Sequence, residues 1–175
     1  MKNPARNILF ASIVLLIAGT ITSSTSCSFR YGFKDVSIPD TIKTVKVGYI
    51  ENRARYINPQ LSPRLTDRLR QKIVSQTKLT QVNNDNADWE ISGWVTDYSF
   101  STSAISGQRE ANNRLTVSIH ITINDRKTDK TTDYDVSRSF EFKGTQSIQQ
   151  AEASLGDEMI RTLTDEIFNR IFSNW

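Results

Sequence analysis

Apolar and polar residues alternate without a break between Leu115 and Asn124. The apolar positions hold Leu115, Val117, Ile119, Ile121 and Ile123. Side chains of a β-strand point alternately to the two sides of a sheet, so this pattern predicts a strand with one buried face and one polar face. A sheet of this kind needs a second layer on its apolar side. The chain must therefore supply further strands to complete the sheet and helices to cover its apolar side.

Three other segments have strand patterns. Alternating apolar residues predict a strand in Ile42–Ile50, and aromatic and branched residues predict one in Ala87–Phe100. A fourth is predicted in Tyr134–Phe142, where Arg138 interrupts the apolar set and Gly144 ends the segment.

Two segments show the four-residue spacing of amphipathic helices. In Leu61–Gln76 a leucine or isoleucine recurs every fourth residue, and Ser62 with Pro63 predicts the N-cap and first turn. Ser147–Trp175 carries a broad apolar stripe. The order strand, helix, three strands, helix predicts an α+β domain: a four-stranded sheet with two amphipathic helices packed on one face. The other face is left uncovered.

The N-terminal segment has the composition of an export signal. Lys2 and Arg6 precede the apolar run Ile8–Ile21, and small polar residues lead from there to Cys27, the only cysteine. The run is about 14 residues long, shorter than the roughly 20 that a membrane-spanning helix needs. A lone thiol at this place indicates a lipoprotein, although Ser24 stands where a lipobox usually has leucine.

We therefore predict a lipoprotein signal peptide at residues 1–26, an acylated Cys27 with a tether over residues 27–41, and one folded domain at residues 42–175. The alternative is a secreted protein with an incidental thiol. Loss of the leader removes two cations and no acid, which lowers the formal net charge from +3 to +1. A chain so close to neutral lacks the general attraction for polyanions that a nucleic-acid-binding protein has.

The sequence contains no recognisable catalytic or metal-binding motif. His120 is the only histidine, and it lies within a strand with no cysteine or suitably spaced carboxylate for a triad or a metal site. Asp85, Asp88 and Glu90 open a strand and predict an incidental acidic cluster. We expect no enzymatic activity and no cofactor, although carboxylates from distant segments can still meet in a fold.

Cations are the first candidate binding residues. Arg64, Arg68 and Lys72 recur at four-residue spacing on the first helix. They form either a stripe that faces an anion or a solvated face with Asp67 as a local partner. Four more cations near strand ends are candidates for contacts with lipid phosphates, with the same solvated alternative: Arg109, Arg114, Lys127 and Lys130.

Aromatic residues are the second group. Trp94, Tyr98 and Phe100 share one parity on the second predicted strand, opposite to Trp89 and Ile91. If one set faces the helices, the other faces outward, where aromatic side chains suit a partner interface. Burial under a long loop is the alternative.

Four segments of the mature chain together resemble a known family. Asn52–Val82 contains Arg-Ala-Arg-Tyr-Ile-Asn-Pro, and Ala87–Gly93 leads to Asp97-Tyr98. The others are Asn113–Val117 and the ending Ile167–Asn169 with Asn174-Trp175. In order and spacing they resemble the LptE family of lipopolysaccharide-assembly lipoproteins, in the form found in Bacteroidetes.

The resemblance implies a non-enzymatic lipoprotein on the periplasmic face of the outer membrane. It implies a partner, the β-barrel LptD, which the lipoprotein helps to assemble and partly plugs, and contact with lipopolysaccharide as it is transported and inserted into the outer leaflet. The family's basic lipid contacts match no motif here. A lipid shuttle is the alternative and needs an apolar cavity between sheet and helices. A periplasmic enzyme needs a pocket with perturbed carboxylates.

Overall fold

The computed structural model describes residues 38–102 and 112–173. The predicted signal peptide, Cys27, Arg109 and the last two residues lie outside this part of the chain. The described part contains β1 (Thr44–Asn52), α1 (Leu61–Gln76), β2 (Thr80–Gln81), β3 (Trp89–Thr102), β4 (Asn112–Asp125), β5 (Lys130–Lys143) and α2 (Ile148–Phe172).

The strands form one mixed sheet in the order β2-β1-β3-β4-β5. β1 is parallel to both of its neighbours, whereas β3, β4 and β5 are antiparallel to one another. The predicted number of four strands is wrong, because Thr80–Gln81 adds a fifth at the β1 edge. It is held by a hydrogen bond from Thr80 N to Lys43 O at 2.8 Å. A strand of two residues has no periodicity that a sequence can display.

The helix ends follow local hydrogen bonding. α1 ends at Gln76, as predicted, but Ser62 is not its N-cap; the N-cap is Gln60, so the helix begins at Leu61, two residues earlier than predicted. Ser62 is buried instead. α2 begins with a capping box, in which Ser147 Oγ accepts from Gln150 N at 3.2 Å and Gln150 Oε1 accepts from Ser147 N at 2.9 Å.

Both helices lie on one face of the sheet, α1 against β1 and α2 against β5. α1 leaves the parallel strand β1, and α2 leaves β5, which runs in the same direction as β3. The two helices therefore run parallel to each other, a geometry that fixes which of their residues face one another.

The core lies between the sheet and this helix pair. The alternating apolar residues of β4 are all buried, as predicted, and they pack in one cluster with the helix stripes. Leu65, Leu69, Leu163 and Ile167 are fully buried on the helix side. Burying one such side chain contributes about 1.5–3 kcal/mol relative to leaving it in water.

Gly93 allows β3 and β4 to approach closely. A Cβ atom there would lie 2.5 Å from His120 O and 2.7 Å from Ile121 Cδ1. Gly48 is less restricted, since its nearest contact would be Ile91 O at 3.4 Å. Neither described helix is long and apolar enough to cross a membrane.

Candidate functional site

The sheet face opposite the helices is polar, and its β4 and β5 side chains are paired by cross-strand hydrogen bonds. Along β4 and β5, Thr116 pairs with Ser139 and Ser118 with Ser137, each pair with its hydroxyl oxygens 2.9 Å apart. Thr122 Oγ1 donates to an Asp133 carboxylate oxygen at 2.7 Å. We call this surface, formed by the outward residues of β1, β3, β4 and β5, the open face.

Trp94 is the aromatic centre of the open face. Its ring centroid lies 4.5 Å from that of His120, and Arg53 Cζ lies 4.8 Å from it on β1's side. Arg53, Trp94 and His120 thus form a row across the sheet, and each end of this row contacts a carboxylate. Arg53 is 2.8 Å from Glu51, and His120 Nδ1 is 2.7 Å from an Asp135 oxygen. His120 is therefore a sheet-face histidine, as predicted, and it orients Trp94.

A β-bulge separates Trp94 from the other two aromatic residues. Val95 pairs with Ile119 but Asp97 pairs with Ser118, so Thr96 is an extra residue in β3. One inserted residue reverses the alternation of everything after it. The prediction that Trp94, Tyr98 and Phe100 share a face is therefore wrong: Tyr98 is buried on the helix side, and Phe100 packs against the core there.

Tyr98 belongs to a polar cluster beneath the loop before α1. Its hydroxyl donates to Glu152 Oε1 at 2.9 Å and accepts from Asn58 Nδ2 at 3.2 Å. Tyr56 Oη also donates to Glu152, at 3.3 Å, and stacks on Tyr98 with ring centroids 5.4 Å apart. Burial, reinforced by Glu152, raises the pKa of Tyr98 well above its ordinary value. This cluster fastens the start of α2 to the β1–α1 loop.

Of the four predicted lipid-contacting cations, the three that the structure describes do not lie together. Arg114 lies near the start of β4 and is 3.3 Å from Glu141, whereas Lys127 and Lys130 lie at the far end of the same strand. Asp125 lies eleven positions after Arg114 in β4, which corresponds to about 36 Å of strand. These cations therefore sit at two ends of the sheet and form no single site.

The acids that open β3 are structural. Asp88 Oδ2 accepts from the backbone N–H groups of Lys43 and Thr44 at 2.9 Å each, and Oδ1 is 3.0 Å from Lys127 Nζ. The Lys43 N–H and then Lys127 hold the pKa of Asp88 far below its ordinary value. Glu90 pairs with Lys46 at 2.9 Å. No group of three potential metal ligands occurs within residues 38–102 and 112–173.

The cationic stripe of α1 faces α2. Arg64 pairs with Asp157, and Lys72 Nζ lies 2.6 Å from an Asp165 oxygen. Asp67, the expected local partner, contacts Arg70 instead, at 3.6 Å. Two members of the stripe thus join the helices.

Comparison with known proteins gives one family. The family model described as LptE, lipopolysaccharide-assembly, matches residues 42–171. No curated protein matches the chain.

Several solved structures share the fold at low sequence identity. A neuraminyllactose-binding hemagglutinin homolog from Helicobacter pylori is 11% identical with a TM-score of 0.52, covering 83% of this chain and 94% of that one. A hypothetical protein from Chlamydia trachomatis is 9% identical with a TM-score of 0.51, covering 76% and 99%. A minor lipoprotein from Acinetobacter baumannii is 17% identical with a TM-score of 0.50, covering 75% and 93%. At these identities the likeness shows the fold alone.

Proposed function

Because the chain belongs to the LptE family of lipopolysaccharide-assembly proteins, we propose that it is a non-enzymatic outer-membrane lipoprotein that assembles with and plugs an LptD-like β-barrel. In this role it takes part in lipopolysaccharide transport and insertion into the outer leaflet. The family match over residues 42–171 carries the proposal, since it spans nearly the whole predicted domain.

Acylation at Cys27 holds the protein at the periplasmic face of the outer membrane. Several fatty chains, each contributing about 0.8 kcal/mol per buried methylene, exceed what stable anchoring requires. Metabolic labelling with a radioactive fatty acid tests this step. The wild type is expected to incorporate label, Cys27→Ala is not, and label in the variant contradicts acylation at this residue.

The filled core supports a plug over a lipid shuttle. In the described residues the inward side chains of the sheet and the helix stripes form one buried cluster. Val95, Leu115 and Leu163 within it have no exposed surface. A carrier would need an acyl-chain cavity in this layer.

The open face supports barrel contact through Trp94. Tryptophan is among the residues that contribute most to protein interfaces, and here Arg53 and His120 hold the ring in place. Tyr98 and Phe100 lie on the helix side of β3 and contribute no side chain to this face.

Co-purification tests the assembly role. The full chain is tagged at its C-terminus, the outer membrane is extracted in mild detergent, and the barrel recovered per tagged protein is quantified. The wild type is expected to bring down an LptD-like barrel in stoichiometric amount. Trp94→Ala should reduce recovery severalfold, and Trp94→Phe should reduce it less. Wild-type protein recovered alone, or with lipid only, contradicts the assembly role.

Lipopolysaccharide contact is assigned to Arg114 together with Arg109. Arg114 lies near the start of β4, five residues after Arg109 in the chain, and its side chain is 46% exposed. Its partner Glu141 is 59% exposed, so this ion pair is weak and can be exchanged for a contact with phosphate. Lys127 is instead bound to Asp88, whose side chain is only 13% exposed. Binding of purified lipopolysaccharide should weaken in Arg109→Ala/Arg114→Ala and stay close to wild type in the matched pair Lys127→Ala/Lys130→Ala. Equal binding by both double variants removes the assignment.

A further inference from the structure

The ion pairs between α1 and α2 define the register of the helix pair. Arg64 pairs with Asp157, and eight residues further along both helices Lys72 pairs with Asp165. Eight residues on parallel helices span the same distance, about 12 Å. The position halfway between these pairs is Arg68 on α1 and Arg161 on α2.

This middle position holds two cations instead of an ion pair. Arg68 and Arg161 are both exposed and line the same groove on the outer side of the helix pair. Within residues 38–102 and 112–173, neither has a carboxylate at ion-pair distance. Two like charges that face each other lower the folding stability of the free protein. A helix pair selected only for its own stability would therefore have an acidic residue at one of the two positions.

The other charges of the groove limit which group can bind between Arg68 and Arg161. Asp157 is engaged by Arg64 and Asp67 by Arg70. Among the described groove residues, Glu158 is the acid without an ion-pair partner. The unpaired groups therefore carry one net positive charge, which suits a single carboxylate. A phosphate dianion would bring excess negative charge beside Glu158 and Asp157.

The surroundings fit a protein ligand. Gln71 lines the same groove three residues after Arg68 and can donate from its amide. Val74, three residues later on the same row, has 51% of its surface exposed. Val74 does not line the groove, but an exposed apolar side chain one turn from it adds the kind of apolar contact that protein interfaces contain.

We propose that Arg68 and Arg161 bind one carboxylate side chain of the barrel partner, which inserts between them and completes the ladder of ion pairs. The two guanidinium groups can each donate a pair of N–H hydrogen bonds to the carboxylate, one from either side. This assignment rests on the proposed function, because it names a contact within the same assembly.

Charge reversal separates this role from a structural one. Arg68→Glu and Arg161→Glu each replace the facing like charges with an opposite pair inside the protein. Arg68→Glu should unfold at the wild-type temperature or slightly above it. Arg161→Glu adds an acid one turn from Asp157 and Glu158, which offsets this gain, so it should unfold close to the wild-type temperature. Both variants should recover the barrel about tenfold less well. Matched controls are Arg55→Glu and Arg170→Glu, which change the charge equally at exposed positions outside the groove.

The measurement is barrel recovery from the outer membrane with the full tagged chain, together with thermal unfolding of each purified variant. Recovery that falls for the groove variants and not for the controls supports the site. Wild-type recovery in both groove variants overturns it while leaving the assembly role intact. A wild type that brings down no barrel overturns both.

Photo-crosslinking identifies the occupant. A benzoylphenylalanine in place of Gln71 should crosslink to a barrel peptide that contains aspartate or glutamate. Crosslinks to membrane lipid alone show that a headgroup occupies the groove, and they overturn the assignment of a protein carboxylate.

Discussion

The substitution Asp88→Asn tests how one carboxylate joins the start of β1 to the β4–β5 turn. The Asp88 carboxylate joins three parts of the chain, since it accepts from the Lys43 and Thr44 N–H groups of the β1 segment and from Lys127 in the β4–β5 turn. Its side chain is only 13% exposed. Asparagine keeps one oxygen acceptor but loses the charge.

The cost follows from the bonds that weaken. Hydrogen bonds to charged groups contribute roughly 1.5–3 kcal/mol each, and neutral ones about half as much. Asparagine retains part of two bonds and loses the ion pair, so we expect a loss of about 2–3 kcal/mol at pH 7. For a domain of this size that corresponds to a fall in Tm of about 6–12 °C.

The effect should depend on pH with a defined sign. The pKa of Asp88 is lowered by folding from an ordinary value of 3.8, so its stabilisation is present above that value and is lost as the pH falls towards the folded pKa. The free-energy gap between wild type and Asp88→Asn should be largest above about pH 5 and narrow below about pH 4.

Urea unfolding, followed by circular dichroism in the unacylated Cys27→Ala background, measures this gap. Asp85→Asn is the control, because its side chain is 84% exposed and contacts Lys46 alone; it should change stability much less. An Asp88→Asn protein as stable as the wild type, or a gap that stays constant between pH 7 and pH 3, would refute the reasoning.

Further predictions concern the remaining tight contacts, each measured by urea unfolding. Gly93→Ala should cost about 1–3 kcal/mol because its methyl group meets the β4 backbone, and Gly48→Ala should cost less. Tyr98→Phe should cost about 1–2 kcal/mol at pH 7 through its lost hydroxyl bonds. Because the pKa of Tyr98 is raised by folding, its stabilisation is present below pH 10 and lost above, so the difference from wild type should shrink as the pH rises. Arg138→Ala should cost under about 1 kcal/mol, since its ion pair with Glu166 is solvent-exposed.

Elements with a long regular pattern were predictable from the sequence. The alternation in β4 identifies its buried face, and the four-residue spacing identifies the helix α1 and its buried side, because each buried side chain repeats the same signal. Arg138 also lies on the helix side, as its parity indicates, and reaches Glu166 of α2. The two-residue β2 has too few positions to repeat any signal.

The single residue inserted in β3 was not predictable, and it determines which aromatic side chains lie on the open face. Thr96 differs in no visible way from the other polar residues of β3, yet the extra position moves Tyr98 and Phe100 to the helix side. The juxtaposition of Arg68 and Arg161 was equally hidden, because it depends on the parallel direction of two helices that are separated by 71 residues of chain (77–147). Such features follow from strand pairing and topology, which one sequence does not display.

The internal hydrogen bonding of the open face determines where binding energy can arise. Hydroxyl pairs such as Ser118 with Ser137 already satisfy each other, so a partner that contacts them exchanges one hydrogen bond for another with little gain. Ser118→Ala should therefore leave barrel recovery nearly unchanged. Groups whose contacts are incomplete in the free protein have more to gain, namely the partly exposed Trp94 ring and the two facing arginines of the helix groove. If Ser118→Ala reduced recovery as strongly as Trp94→Ala, the open face would bind as a continuous polar surface, and the emphasis on these few residues would be wrong.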